Sequence, residues 1–95
     1  MPAMRVRFFA TFRPIVGAVE LDVPLADGAT VDELVDWIAE RYPEVGAKLR
    51  NPDGSPSRQA HVYVDGRSAR WLEDGMATRL RADQRVDVFP AVAGG

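Results

Sequence analysis

Residues 30–42 have the sequence TVDELVDWIAERY, and this stretch decides the fold because it is the one long amphipathic helix that the chain predicts. Thr30 and Glu33 have the spacing of a capping box, in which the Thr30 hydroxyl accepts from the Glu33 amide and the Glu33 side chain returns a bond. Pro43 marks a break, after which residues 44–50 predict one further short helical turn. The apolar side chains recur on one face at helical spacing: Val31, Leu34, Val35, Ile38 and Tyr42.

Two strands are predicted before this helix. Residues 4–9 alternate apolar and basic side chains until the last position, which is the period of a half-buried strand. Phe9 would therefore lie on the face opposite the core. Residues 18–23 alternate in the same way, and the intervening Pro14 and Gly17 indicate a hairpin loop. Three side chains of the first strand are expected in the core: Met4, Val6 and Phe8.

Two further strands are predicted after the helix, at residues 61–64 and 85–89, with a short return strand between them. Asp65 and Gly66 follow the first of these and form the strongest short hairpin signal in the chain. A polar connection leads to the second, which Pro90 is expected to end because proline has no N–H for a ladder hydrogen bond.

The order of these elements predicts the fold class. A long helix between hairpins, with a last strand free to pair parallel with the first, indicates an α+β domain with a small mixed sheet on one main helix. This is the β-grasp, or ubiquitin-like, arrangement, in which the last strand lies beside the first in the middle of the sheet. We expect residues 1–90 to form this domain and residues 91–95 to form an extended, flexible C-terminal tail.

Composition excludes several classes of function. The net charge of −2 and the absence of a basic block argue against a nucleic acid partner. There is no cysteine, and His61 is the only histidine, so the sequence offers no disulfide, no metal cluster and no Ser-His relay with a second histidine. No apolar stretch approaches the ~18 residues that cross a membrane, and no signal peptide is evident, which favours the cytoplasm. Classical catalytic motifs are missing, so we do not expect an enzyme.

The chemistry that remains is at the end of the chain. A terminal Gly-Gly pair arises by chance in roughly 0.5 % of chains. Residues 91–95 span ~16 Å when extended, which is enough to enter the active site of a partner enzyme. Gly95 would carry the reacting carboxylate. The residues before it, Val92, Ala93 and Gly94, would form the inserted tail, in which Gly94 allows close approach of the backbone.

A docking surface is predicted beside that tail. Phe9 and Phe89 both point away from the core on strands that should be adjacent, and Pro90 follows them at the start of the tail. Two neighbouring exposed aromatic side chains are typical of an interaction hot spot. We therefore expect these three residues to contact the partner.

These residues resemble a known family. The opening residues 6–10 (VRFFA), the helix start at Thr30 and the closing residues 89–95 (FPAVAGG) resemble the ThiS/MoaD family of ubiquitin-like sulfur carriers. The resemblance implies adenylation of Gly95 by an E1-like enzyme, conversion to a thiocarboxylate, and delivery of sulfide to an acceptor enzyme. It also implies that the chain binds no cofactor itself and that ATP is consumed by the activating partner.

Within that family, residues 90–95 together with Arg70-Trp71 and the GMAT segment at residues 75–78 look most like the CysO type. That type serves a PLP-dependent cysteine synthase, and relatives feed sulfur into natural products. The small subunit of molybdopterin synthase usually has two prolines where this chain has Pro90 and Ala91, which argues modestly against that role.

Three readings follow from the resemblance. The first is a sulfur carrier for an acceptor such as a cysteine synthase or a thiazole-synthase-like enzyme. The second is the small subunit of molybdopterin synthase, docked on the large subunit. The third is a ubiquitin-like protein modifier joined through Gly95 to lysines of its targets.

Overall fold

A computed structural model describes residues 3–91, which form one mixed sheet and three helices. The strands of the sheet are β1 (Met4–Phe8), β2 (Glu20–Val23), β3 (Ala60–Val64), β4 (Arg67–Ser68) and β5 (Val86–Pro90). The helices are α1 (Phe12–Val16), α2 (Val31–Arg41) and α3 (Pro43–Leu49).

The sheet has the strand order β2-β1-β5-β3-β4, so the last strand lies at its centre. β5 pairs parallel with β1, with Phe8 opposite Val88, and antiparallel with β3, with Val62 opposite the same Val88. This topology confirms the β-grasp prediction. It also places residues 86–88 of the last strand between two neighbours, while Phe89 and Pro90 pair with β3 alone.

Helix α2 begins as the sequence predicts. The Glu33 N–H donates to the Thr30 hydroxyl at 3.1 Å, and the Thr30 N–H donates to the Glu33 carboxylate at 3.4 Å. The apolar face of the helix packs on the sheet, with four of the five predicted side chains fully buried: Val31, Leu34, Val35 and Ile38.

The hairpin predicted around Pro14 and Gly17 does pair β1 with β2 antiparallel, but its connection is a short helix rather than a loop, because those residues belong to α1 and its end. Phe12 and Val16 lie one helical turn apart and both reach the core, which holds the helix in place. Pro14 is tolerated because its missing N–H falls in the first turn, where N–H groups have no partner within the helix. Gly17 then ends the helix with a left-handed φ of 80°.

Several strand boundaries also differ from the prediction by one or two residues: β1 ends at Phe8 rather than residue 9, β3 begins at Ala60 rather than residue 61, and β5 begins at Val86 rather than residue 85. β2 begins at Glu20 rather than residue 18. Pro90 belongs to β5, where it lies opposite Ala60, so it does not end the strand. A proline fits there because the ladder hydrogen bond next to it uses the Ala91 N–H, which donates to the Gln59 carbonyl at 2.8 Å.

Two connections lead from β3 to the last strand. Asp65 and Gly66 join β3 to β4 with left-handed φ angles of 51° and 85°, which confirms the predicted hairpin turn. The segment before β5 contains two short 3-10 turns and contributes Leu80 to the core. Among the described residues, we find no helix with the length and hydropathy required of a transmembrane span.

Candidate functional site

An aromatic cluster lies on the face of the sheet opposite the helices. The rings of Phe9 and Phe89 stack with their centroids 4.1 Å apart and their planes 7° from parallel. The Tyr63 ring meets Phe89 edge-on at 5.4 Å. Because Phe8 and Val88 are opposite each other in the β1–β5 pair, the next residues, Phe9 and Phe89, fall side by side. We call Phe9, Tyr63 and Phe89 the aromatic cluster.

The two phenylalanines lie where the sequence predicts, but they are less exposed than expected. Both are half-buried, because each ring covers one face of the other. Two arginines cover Phe9 further, with the Arg13 and Arg7 guanidinium carbons 5.0 and 5.4 Å from its ring centroid. Arg13 is held there by a 2.8 Å hydrogen bond that its Nε donates to the Phe8 carbonyl. The cluster therefore combines apolar surface with positive charge.

Asp87 lies beside the cluster on the same face, yet it is only 3 % exposed. Its two carboxylate oxygens accept from the Nε atoms of Arg7 at 2.9 Å and Arg85 at 2.8 Å. The hydrogen bond to Asp87 is the main cause that raises the pKa of Arg7. The sequence analysis missed this ion triad, although an acidic residue at an outward position between apolar ones was the signal for it.

His61 lies at the edge of the cluster and is half-buried. Its Nδ1 is 3.1 Å from the Ser68 hydroxyl across the β3–β4 hairpin. Burial, and secondarily the charge of Arg70, lower the pKa of His61 below its ordinary value of 6.5. The ring is therefore neutral near pH 7. Over residues 3–91, no three His, Cys, Asp or Glu side chains are grouped so that they could hold a metal ion.

A cleft of about 670 Å³ runs along this face towards the C-terminal end of β5. Tyr63, Phe89 and His61 line it, together with Pro90 and Ala91 at that end. We call Pro90 and Ala91 the tail root, because the predicted tail continues from them. Pro90 is half-buried and Ala91 is exposed. The other predicted tail residues lie outside the described residues: Val92, Ala93, Gly94 and Gly95.

Known proteins are similar to this chain in both sequence and fold. The ThiS family matches residues 6–95, which is nearly the whole chain. The chain belongs to the ThiS family. This ThiS-family chain has the ubiquitin-like β-grasp fold, with a capped start of α2, a central last strand and the tail root at the end of that strand.

Individual relatives of this ThiS-family chain are named as modifiers and as carriers. Small archaeal modifier protein 3 of Haloferax volcanii is 38 % identical over 92 residues, covering 97 % of this chain and 98 % of that protein. The sulfur carrier protein CysO of Mycobacterium tuberculosis is 29 % identical over 72 residues, covering 74 % and 76 %. A chain of the Amycolatopsis orientalis BexX/CysO complex superimposes with a TM-score of 0.74 at 28 % identity, covering 98 % of this chain and 100 % of that one.

Proposed function

We propose that this ThiS-family chain is a sulfur carrier that works as a thiocarboxylate at Gly95. The observation that carries the proposal is the position of the aromatic cluster beside the tail root, on the strand that continues into the diglycine end. A partner that binds Phe9, Phe89 and Pro90 would receive the tail directly. The relatives also support a carrier or modifier rather than a catalyst.

The chemistry requires two steps on partner enzymes. In the first, the Gly95 carboxylate attacks the α-phosphorus of ATP, forming an acyl adenylate and releasing pyrophosphate. In the second, a hydrosulfide ion attacks the acyl carbon and AMP leaves with the bonding electron pair, so that one carboxylate oxygen is replaced by sulfur and a proton is released. The chain itself supplies the carboxylate and the docking face, and the E1-like partner consumes the ATP. The activation step consumes ATP, which is a cytoplasmic metabolite, so we infer action in the cytoplasm.

For the acceptor, we infer a biosynthetic enzyme of the cysteine synthase or thiazole-synthase-like kind. The similarity to CysO proteins over most of the chain supports this choice. If the chain is a sulfur carrier, the alternative acceptor is the large subunit of molybdopterin synthase. In both cases the carrier would present the same thiocarboxylate to a different enzyme.

A second candidate function is protein modification, which the 38 % identity to a small archaeal modifier protein favours. In that case the same acyl adenylate would be attacked by a lysine amine of a target, forming an amide and releasing AMP. The two functions share the activation step and differ in the nucleophile.

Intact mass spectrometry of the chain from its own cells separates these functions. Carriage predicts a mass increase equal to the exchange of one oxygen for sulfur, located on the last residue. Modification predicts high-mass conjugates instead. A variant lacking Gly95 is the control and should show neither species while remaining folded. If the intact chain shows neither species in the presence of an activating enzyme and a sulfur donor, the proposal is wrong.

A further inference from the structure

A second groove, of about 410 Å³, lies on the other side of the tail root. Lys48, near the end of α3, and Arg58, just before β3, contribute its two charged side chains. Buried Phe12 lies at its base. The groove therefore combines an apolar base with two exposed cationic side chains.

The positive charge of this groove is not neutralised by the described part of the chain. None of its lining residues carries a carboxylate. Within residues 3–91, neither Lys48 nor Arg58 takes part in an ion pair, whereas five of the other ten basic side chains do: Arg5, Arg7, Arg50, Arg81 and Arg85. The chain as a whole has a net charge of −2, so the charge of this groove is opposite in sign to the net charge of the protein.

The two grooves meet at the tail root. Pro90 and Ala91 line both the cleft beside the aromatic cluster and the groove beside Lys48 and Arg58. The tail root is thus a ridge with an aromatic surface on one side and a cationic surface on the other. An enzyme that takes the tail into its active site must cover the ridge, and it then lies over both surfaces.

We propose that Lys48 and Arg58 form the cationic half of the docking site and bind an acidic segment of the enzyme that activates Gly95. This inference rests on the proposed function. The partner would straddle the tail root, with apolar groups against Phe9 and Phe89 and Asp or Glu side chains against Lys48 and Arg58. Exposed charges of this kind accelerate association and are screened by salt, so the contact acts mainly on the rate of encounter.

The test is the kcat/KM of adenylation of three variants by the E1-like enzyme purified from the same cells. We expect the double variant Lys48→Glu/Arg58→Glu to lose roughly 10-fold or more at low ionic strength, and the loss to shrink as salt is raised to about 1 M. Lys48→Gln/Arg58→Gln should show a smaller loss.

Arg81→Glu is the matched control for a charge reversal. Arg81 comes before the start of β5 and therefore lies at the opposite end of that strand from the tail root. Its only ion pair within residues 3–91 is with exposed Asp83, so it should behave as the unmodified chain.

If the two groove variants match the Arg81→Glu control at every salt concentration, the inference is wrong. If even the unmodified chain is not adenylated, the proposed function fails, and the groove is then judged separately by NMR. In that experiment the ¹⁵N-labelled chain is titrated with a hexaglutamate peptide. Amide shifts concentrated at Thr11, Lys48, Arg58 and Gln59, and lost in the double variant, support an acidic ligand. If the shifts are absent, or are spread evenly over the surface arginines, the inference that this groove binds an acidic segment is wrong.

Discussion

Phe9 and Phe89 stack in parallel with their centroids 4.1 Å apart, and this contact joins the first strand of the sheet to the last. The two residues are 80 positions apart in the chain, so the contact depends on the parallel pairing of β1 and β5. The aromatic cluster is therefore part of the centre of the sheet rather than a mobile surface patch. Its position is fixed relative to the tail root.

Removing one ring of the stack should weaken docking. We expect Phe9→Ala or Phe89→Ala to raise the Kd for the activating enzyme by roughly 30-fold, because a hot-spot aromatic contributes about 2 kcal/mol or more. Isothermal titration calorimetry measures this directly. Trp71→Ala is the matched control, since Trp71 is 74 % exposed and lies outside the aromatic cluster. An equal loss of affinity in the control would show that exposure, and not position beside the tail root, determines binding.

Neutralising the buried carboxylate should destabilise the fold. Asp87→Asn keeps the shape of the side chain but leaves Arg7 and Arg85 without their common anionic partner. We expect the free energy of unfolding to fall by about 1.5–3 kcal/mol, the range for hydrogen bonds to charged groups. Urea denaturation provides the measurement. Asp83→Asn, which affects only an exposed pair with Arg81, should change the free energy of unfolding by less than about 1 kcal/mol.

Helices α2 and α3 approach closely at Gly46. A Cβ at this position would lie 2.5 Å from the Ala39 Cβ and 2.7 Å from its Cα. Gly46→Ala should therefore lower the free energy of unfolding by about 1–3 kcal/mol through overpacking, although helix propensity alone would favour alanine. The double variant Ala39→Gly/Gly46→Ala should recover only part of the loss, because the Ala39 Cα remains. A Gly46→Ala variant that gains stability would show that the two helices separate without cost.

Stability should depend on pH through His61. Its pKa is lower in the folded state than the ordinary 6.5 of an unfolded chain, so the unfolded state binds the proton more readily. The contribution to the free energy of unfolding is complete above pH 6.5 and is lost as the pH falls through the folded pKa. Urea denaturation between about pH 7.5 and 5 should show this decrease, and His61→Gln should reduce it. The same slope in both proteins would assign the pH dependence to other groups.

Local signals in the sequence account for much of the fold. Thr30 and Glu33 define the start of α2 because capping depends on residues only three positions apart. Helix α1 was missed because Pro14 and Gly17 are typical of loops, and the spacing of Phe12 and Val16 becomes decisive only when both reach a core. The order of the elements also predicted that the first and last strands are neighbours, so Phe9 and Phe89 were expected to lie together.

The features that escaped prediction depend on contacts between distant parts of the chain. Asp87 is buried because Arg7, on another strand, lies opposite it in the parallel pair. Lys48 and Arg58 meet beside the tail root only because α3 and the start of β3 pack next to the end of β5. The acidic Asp87 between apolar residues was a local signal, but no local pattern identifies its arginine partners or brings Lys48 and Arg58 together.

The central place of β5 has a mechanical consequence. A strand bonded on both sides, parallel to β1 and antiparallel to β3, resists a pull along its axis because the hydrogen bonds on both edges share the load. A force applied through the tail root therefore acts on the sheet in shear rather than peeling it from an edge. Under the proposed function, the partner enzyme can therefore hold the end of the chain while the body of the protein stays folded.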